Sequence, residues 1–463
     1  MAEDARYTDE YFGIIRDLGG DPEGRKHAYA YMVDSTAIVH HEVVASTFVP
    51  RLFCRKAYET LKSASEMTHR ILCKVMQRYL DDEQYRDLFD FDERLKELIL
   101  LPRGYDALLP FARIDTFMDE NDYAIRFCEF NGDGSAGMNE NREITNSILG
   151  TPTLNAFMKN HKVQGCALFQ PWVDEFISIY GTFVNRREDP TFAVCDYLDH
   201  GVVDEFEQFA RLFREAGYNC LVRDVRDLVF EDGELRDSDG QRIDAIWRRC
   251  VTNDVIEFWD ESQALIEAVK AQAVALIGSF AGHIIHDKQV FDVLLEPATC
   301  EMLDAEEIAF LEQAIPQTDF LDDAHVDIAQ IRANKDEWII KPVDHYGADE
   351  VYAGCEVSQA DWDALLGKYA NSAAGYPFLV QRYIKPFKTK TLPPDKGILE
   401  TPDDQVTVDP AMYNNLNGLY LFNGKFEGVF SRLGPHPTIS KQNEGMTAAT
   451  LWVDADVEGG LDL

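Results

Sequence analysis

Two apolar runs between residues 113 and 131 carry charge in their interiors, and few folds tolerate that. Arg113-Ile114-Asp115 lies in the first run and Glu129-Phe130-Asn131 in the second. The polar stretch Asp119-Glu120-Asn121-Asp122 between them reads as a hairpin turn. Residues two apart on a strand share a face, so pairing the strands gathers Arg113, Asp115, Glu129 and Asn131 on one surface. Strand interiors are poor places for charge that does nothing. Asp, Glu and Asn supply hard oxygen ligands, which suit a divalent cation of the magnesium type. A glycine-rich stretch, Gly132 to Gly137, follows at once, and its backbone N–H groups can meet phosphate. Two other readings compete with a magnesium–nucleotide site. One is a polar strand pair with solvated charges. The other treats Gly132-x-Gly134-x-x-Gly137 as a dinucleotide fingerprint, which would make the chain an NAD-binding oxidoreductase. That fingerprint needs a further strand ending in an acid about 20 residues on. Thr151 to His161 stands near that place and does not read as such a strand.

Size and charge bound the remaining possibilities. A chain of 463 residues predicts two or three domains. Hydrophobic content of 46% and aromatic content of 11% predict a folded globular protein. No apolar run reaches the roughly 18 residues that span a bilayer, and the N-terminus shows no signal-peptide core. Nine cysteines without a C-x-x-C pair predict a reduced, cytoplasmic protein with mostly buried thiols. A net charge of −38 disfavours nucleic acid and anionic membrane as partners. The acids either solvate the surface or attract a cationic substrate such as a polyamine, and charge alone does not choose. Nothing in the sequence fixes the oligomeric state.

Residues 6–105 read as helical, with Arg51 to Asp81 as one helix whose first turn follows Pro50. His40-His41-Glu42 lacks the spacing of a metal motif and is read as structural. After Gly137, residues 139–149 suit a helix ended by Gly150. From Thr191 strand and helix alternate: Thr191–Tyr197, a helix over 204–216, Asn219–Val225, a hairpin on Asp232-Gly233, and Ile243–Arg248. This predicts a small parallel α/β unit. Asp304 and Glu307 form a capping-box pattern. Thr391 to Pro410 reads as a flexible loop, and the last nine residues as loosely held.

The second half supplies cations. Trp338-Ile339-Ile340-Lys341-Pro342 is a strand ending in a lysine, which is costly to bury unless an anion meets it. A glycine-containing loop, His345 to Gly354, follows and includes Gly347. The apolar strand Pro377 to Ile384 turns polar at Gln381-Arg382-Tyr383-Ile384 and can offer backbone groups to an adenine edge. Gly418 to Arg432 reads as a hairpin on Asn423-Gly424 that delivers Arg432 to a strand end. Gly418 to Lys425 has the wrong spacing for a P-loop.

Taken in order, these elements resemble the ATP-grasp superfamily in its circularly permuted form, as in glutathionylspermidine synthase-like ligases. The R-x-D of Arg113/Asp115 and the E-x-N of Glu129/Asn131 match the family's magnesium strands, and they precede both lysine elements. Ser279 to Lys288 is similar to the segment holding the first phosphate-binding lysine, and Ile340-Lys341-Pro342 to the second. Ala314 to Thr318 is similar to a segment of the permuted family. Leu379 to Ile384 looks like the adenine hinge, with Gln381 where an acid is usual, and Arg432 resembles the family's late arginine. No amidase-like cysteine–histidine site accompanies them.

The resemblance implies an α/β (α+β) ATP-grasp fold with a helical N-terminal region over 1–105. It splits the grasp domain into 106–160 and 276–463 around a small Rossmann-like pre-ATP-grasp domain at 161–275. It also implies a ligase that joins a small-molecule carboxylate to an amine. Asp115, Glu129 and Asn131 would hold two Mg²⁺. Lys288, Lys341, Gly347, Gln381, Arg382, Tyr383 and Ile384 would bind ATP, and Arg113 and Arg432 would stabilise the reacting groups. A non-catalytic nucleotide-binding protein is the remaining alternative.

Overall fold

The charged hairpin forms. In the computed structural model, which describes residues 3–39, 42–134, 137–199, 201–345 and 349–457, Phe111–Met118 and Ile125–Asn131 run antiparallel. Asp119 and Asp122 close the turn, each accepting from a backbone amide two residues on at 2.9 Å. Ala411–Phe422 pairs with the outer side of Phe111–Met118, and Lys425–Gly434 with Ala411–Phe422. The Asn423-Gly424 turn joining the last two has positive φ at both residues, 46° and 87°. That conformation matches the twist of a two-residue hairpin. Met446–Ala448 and Lys388–Thr391 complete a six-stranded antiparallel sheet.

A helix covers one side of this sheet. Its buried residues Ala57, Leu61, Ala64, Ile71, Leu72, Val75 and Tyr79 follow the expected helical spacing, but it begins at Arg55 and not at Arg51. Arg51–Phe53 is instead a buried strand, parallel to Thr450–Val453 from the other end of the chain. The N-terminal hundred residues are therefore not purely helical. Ala455 and Val457 near the C-terminus are buried too, so the end of the chain is held at least that far.

Thr191–Asp196, Asn219–Asp224, Ala245–Arg248 and Ala275–Ile277 form a parallel sheet in the order Ala275, Ala245, Thr191, Asn219. Aromatic rings weld it to the central sheet, with Phe111 4.8 Å from Trp247 and Trp172 wedged 5.9 Å from Phe111 and 5.1 Å from Trp247. A third sheet is antiparallel, in the order Thr318–Phe320, Phe378–Arg382, Trp338–Pro342, Tyr352–Ala353. It has its own core around Ile340, Trp362, Tyr369 and Phe378. The expected capping box at Asp304 and Glu307 is present. Between Thr391 and Ala411 the chain is irregular apart from one short turn of helix at Asp403–Gln405.

The strand before Gly132 belongs to an antiparallel sheet. The helix after Gly137, Met138–Ile148, leads to another helix, Pro152–Phe157, and not to a parallel strand. The βαβ unit that a dinucleotide fingerprint requires is thus not built there. The first glycines serve close packing instead. A Cβ on Gly132 would stand 2.7 Å from the Gly282 carbonyl oxygen, and one on Gly134 2.5 Å from that of Arg249. Among the described residues no helix is long and apolar enough to cross a membrane, and no disulfide joins any of the nine cysteines.

Candidate active site

Register assembles the acidic face. Arg113 lies opposite Asn131, and Asp115 opposite Glu129. On the other side, Gly418 lies opposite Asp115 and Phe430, and Arg432 opposite Leu416, so Arg432 shares the face. Arg113 grips Asp115 with Nε at 2.8 Å and Nη2 at 3.2 Å, and Arg432 Nη2 reaches the same carboxylate at 2.6 Å. Arg432 must cross the intervening strand to do so. Gly418 makes this possible: a Cβ there would meet Arg113 Cδ at 2.8 Å and Asp115 Oδ1 at 2.9 Å. Both guanidinium groups stand over the Phe430 ring, at 5.6 and 5.8 Å.

Two lysines distant in sequence meet this face. Lys288 Nζ is 3.0 Å from Glu129 Oε1 and donates to the His345 carbonyl at 2.7 Å. Lys341 Nζ donates to Gln381 Oε1 at 2.9 Å and to the Cys128 carbonyl at 3.2 Å. The second contact exists because the hairpin register shifts between Asp115 and Thr116, leaving Cys128 without an opposite residue. Such a bulge re-aims backbone groups. The Phe130 and Phe291 rings stack at 4.7 Å, and Lys341 Nζ lies 4.9 Å from the Phe291 ring. This stack ties the segment after Lys288 to the acidic hairpin.

The charges are tuned by burial and by one another. Burial would raise the Glu129 carboxyl, but the Lys288 ammonium and nearby cations outweigh it and hold it well below the usual range. Burial lowers Lys288, yet Glu129 more than compensates, so it is raised overall. Among the described residues Lys341 has no carboxylate in contact. Burial, then repulsion from Lys288, lower it to about 8.

The hinge residues differ from expectation. Gln381 is buried, and its amide nitrogen donates to Thr318 Oγ1 at 2.7 Å while its oxygen holds Lys341. The amides of Arg382 and Tyr383 are already spent on the carbonyls of Gln317 and Glu337, each at 2.8 Å. The Arg382 side chain turns outward, pairs with Glu337 and stacks on Trp338 at 4.6 Å. Ile384 is the hinge position whose amide has no backbone partner among the described residues. Gly347 lies outside the described residues, as do His40 and His41.

Residues that sequence reasoning passed over crowd the same place. His283 donates from Nδ1 toward Asp133 Oδ2 at 3.2 Å, and its Nε2 is 3.1 Å from Asp344 Oδ2. Arg248 pairs with Asp133, whose Oδ2 also accepts from the Thr252 amide at 2.8 Å. Asp287, next to Lys288, is raised to about 7 by burial and by the neighbouring Asp344. Glu140 is likewise raised to about 7, by burial and then by Glu205; Arg113 and Arg432 act on it in the opposite sense. The signal that could have found the first cluster is the run His283-x-x-His286-Asp287-Lys288 in a buried stretch. Two ammonium and two guanidinium groups beside two carboxylates and an amide suit a polyanion escorted by a divalent cation.

No family model matches the chain, and no curated protein matches it. Solved structures do. A glutathione synthetase-like effector from Globodera pallida, in its apo form, superposes with a TM-score of 0.59 over 92% of this chain and 96% of that one, at 11% identity. A putative gamma-glutamylcysteine synthetase from Methylobacillus flagellatus gives 0.42 at 11% identity, covering 81% and 87%. A D-cycloserine synthetase gives 0.29 at 13% identity, covering 59% and 93%. The first establishes a shared mixed α/β fold across nearly the whole length of both chains. The other two superpose too loosely to add to it.

Proposed function

We propose that this chain is a magnesium- and ATP-dependent carboxylate–amine ligase of the circularly permuted ATP-grasp type. The observation that carries the reading is the convergence of Lys288, Lys341, Arg113 and Arg432 on one face with Asp115, Glu129 and Asn131. Its overall likeness to a glutathione synthetase-like protein supports the same class.

Magnesium fits part of this set well. Asn131 is buried on the same face, its side-chain oxygen is the atom that would meet a cation, and its amide nitrogen, unpaired among the described residues, is left to donate to a phosphate oxygen. Glu129 already holds one cation, the Lys288 ammonium. Asp115 has three N–H donors on its oxygens and keeps less capacity. Glu129 and Asn131 would therefore be the principal ligands, with Asp115 contributing what the arginines leave. Bound there, magnesium would supply neutralisation of phosphate charge.

Phosphoryl transfer needs alignment and charge neutralisation more than covalent help. Lys288 and Lys341 would pair with phosphate oxygens, and Lys288 would exchange Glu129 for phosphate. The γ-phosphoryl passes to a substrate carboxylate, giving an acyl phosphate and ADP. An amine then attacks the acyl carbon and phosphate leaves. Arg113 and Arg432, fixed by their common carboxylate, would face the charge on the transferring phosphoryl and on the tetrahedral intermediate. Ile384 would offer its free amide to adenine. Glu140, which feels the charge of both arginines, would receive a cationic amine such as a polyamine.

The test is phosphate release from Mg-ATP across a panel of carboxylates and amines, with glutathione and spermidine included. Phosphate release that requires one carboxylate and one amine together, with an amide as product, is expected. ATP binding without turnover by any pair would favour a non-catalytic nucleotide-binding protein, and no ATP binding would overturn both.

A further inference from the structure

We propose that His283, Asp287 and Asp344 form a site for one divalent transition-metal ion of the zinc class, which clamps the sheet carrying Lys341 to the segment carrying Lys288. One donor atom from each of the three lies within 4.8 Å of the other two. Metal–ligand bonds of about 2.0–2.2 Å to nitrogen and oxygen are reached from there by small rotations. His283 and Asp287 are buried and Asp344 nearly so.

Each ligand is aimed by a partner outside the site. The Asp133 carboxylate accepts a hydrogen bond from Nδ1–H of His283, which leaves Nε2 as the ligating nitrogen. A carboxylate behind a ligating histidine is the usual way its tautomer and ring orientation are fixed. Asp133 is itself pinned by Arg248 and the Thr252 amide. Asp287 is steadied by the amide of Gln289 at 2.9 Å and by its side chain at 3.2 Å. Asn253 steadies Asp344. A fourth donor stands ready. The His286 side chain is 5% exposed, its Nε2 is 4.0 Å from Asp344 Oδ1, and its Nδ1 has no hydrogen bond among the described residues.

Imidazole with two carboxylates suits zinc, manganese or ferrous iron better than magnesium, which prefers oxygen alone. The set is therefore distinct in chemistry from Asp115, Glu129 and Asn131. Its place suggests its use. Asp344 follows the lysine strand, and Asp287 adjoins Lys288. The two segments already touch through the Lys288 amide and the Val343 carbonyl at 2.8 Å. An ion bridging Asp344 to His283 and Asp287 would fix the spacing of the two lysines. The competing account is metal-free: an imidazolium between Asp133 and Asp344.

The full-length protein, stripped with a chelator, is titrated with Zn²⁺ against a chromophoric competitor, and its thermal unfolding is followed. No ATP is present, so the result does not depend on the ligase reading. One Zn²⁺ per chain and a raised Tm are expected. His283→Gln and Asp287→Asn should each weaken binding by about tenfold or more and remove the gain in Tm. Cys355→Ser, at the exposed thiol, should change neither. X-ray absorption of the zinc-loaded wild type, which needs no variant to fold, should show a nitrogen and oxygen shell. Failure of the wild type to bind stoichiometric Zn²⁺, a sulfur-dominated shell, or unchanged affinity in both variants would overturn the proposal.

Discussion

Glu129 and Lys288 neutralise each other, and this sets what a change at either residue does. The Lys288 side chain is 5% exposed and that of Glu129 23%. Removing one partner of a buried pair leaves an uncompensated charge and costs roughly 3 kcal/mol. Glu129→Ala should therefore lower stability as well as abolish turnover. Glu129→Gln keeps an oxygen for Lys288 and should abolish turnover at a much smaller loss in Tm. The double change Glu129→Ala/Lys288→Met should recover most of the stability and none of the activity. Urea unfolding with a phosphate-release assay separates these outcomes, and wild-type turnover by Glu129→Gln would remove Glu129 from the site. Gly418→Ala makes a second case. Its methyl would intrude on Arg113 and Asp115, and overpacking of that kind costs about 1–3 kcal/mol. Turnover should fall far more than stability, because both arginines lose their anchor. Glu129 and Asn131 were legible in the sequence because a period of two forces their side chains together. Gly418 was not, since its need appears only once Arg432 and Asp115 are known to flank it. His283 and Asp344 were hidden for the same reason: their proximity depends on the Lys288 amide meeting the Val343 carbonyl, a contact between segments distant in sequence.

Among the elements, the strand Trp338–Pro342 and its neighbour Phe378–Arg382 were read correctly as strands, and Lys341 does end the first at a buried position. What periodicity could not tell is that Gln381, opposite Ile339, lies diagonally across the pair from Lys341 and within its reach, since that is a matter of register. The consequence is a lysine with only neutral acceptors and a value near 8. A base lowered in this way is charged below about pH 8 and neutral above it. ATP affinity of the free protein should therefore weaken as pH rises through about 8. Lys341→Met should bind weakly and lose that dependence. Gln381→Glu would place a carboxylate on Lys341 and should move the loss of affinity to higher pH. A pH series of ATP binding constants checks all three, and a flat wild-type profile from pH 7 to 9 would remove Lys341 as the responsive group. The N-terminal strand was misread for a different physical reason. Arg51–Phe53 follows a helical pattern into Arg55–Asp81, and only the distant Thr450–Val453 makes it a strand. Deleting residues 1–54 should accordingly expose Leu451 and Trp452 and abolish soluble expression, which a free-standing helical region would not do.

At the scale of the whole molecule the governing quantity is a charge of −38, from 44 basic and 82 acidic side chains. Much of it is solvated surface, as in the exposed acids of Glu93, Asp239 and Asp403. Surface charge of this kind maintains solubility and says little about fold. The site itself is different, being cationic where phosphate would lie and acidic at Glu140 near the arginines. A long-range negative field around a locally positive phosphate site would hinder ATP and draw in a cationic amine. Salt screens exposed charges beyond about 8–10 Å, so the two substrates should respond in opposite senses. Raising ionic strength should lower kcat/KM for a polyamine, and the decline should be steeper for amines of higher charge. Over the same range the on-rate of Mg-ATP should rise or stay level, because screening relieves repulsion from the acidic surface. Glu140→Gln should raise KM for the cationic amine with little effect on the KM for ATP. A neutral amine as the preferred substrate, or a kcat/KM for a cationic one that ignores salt, would show that the acidic surface serves solubility alone.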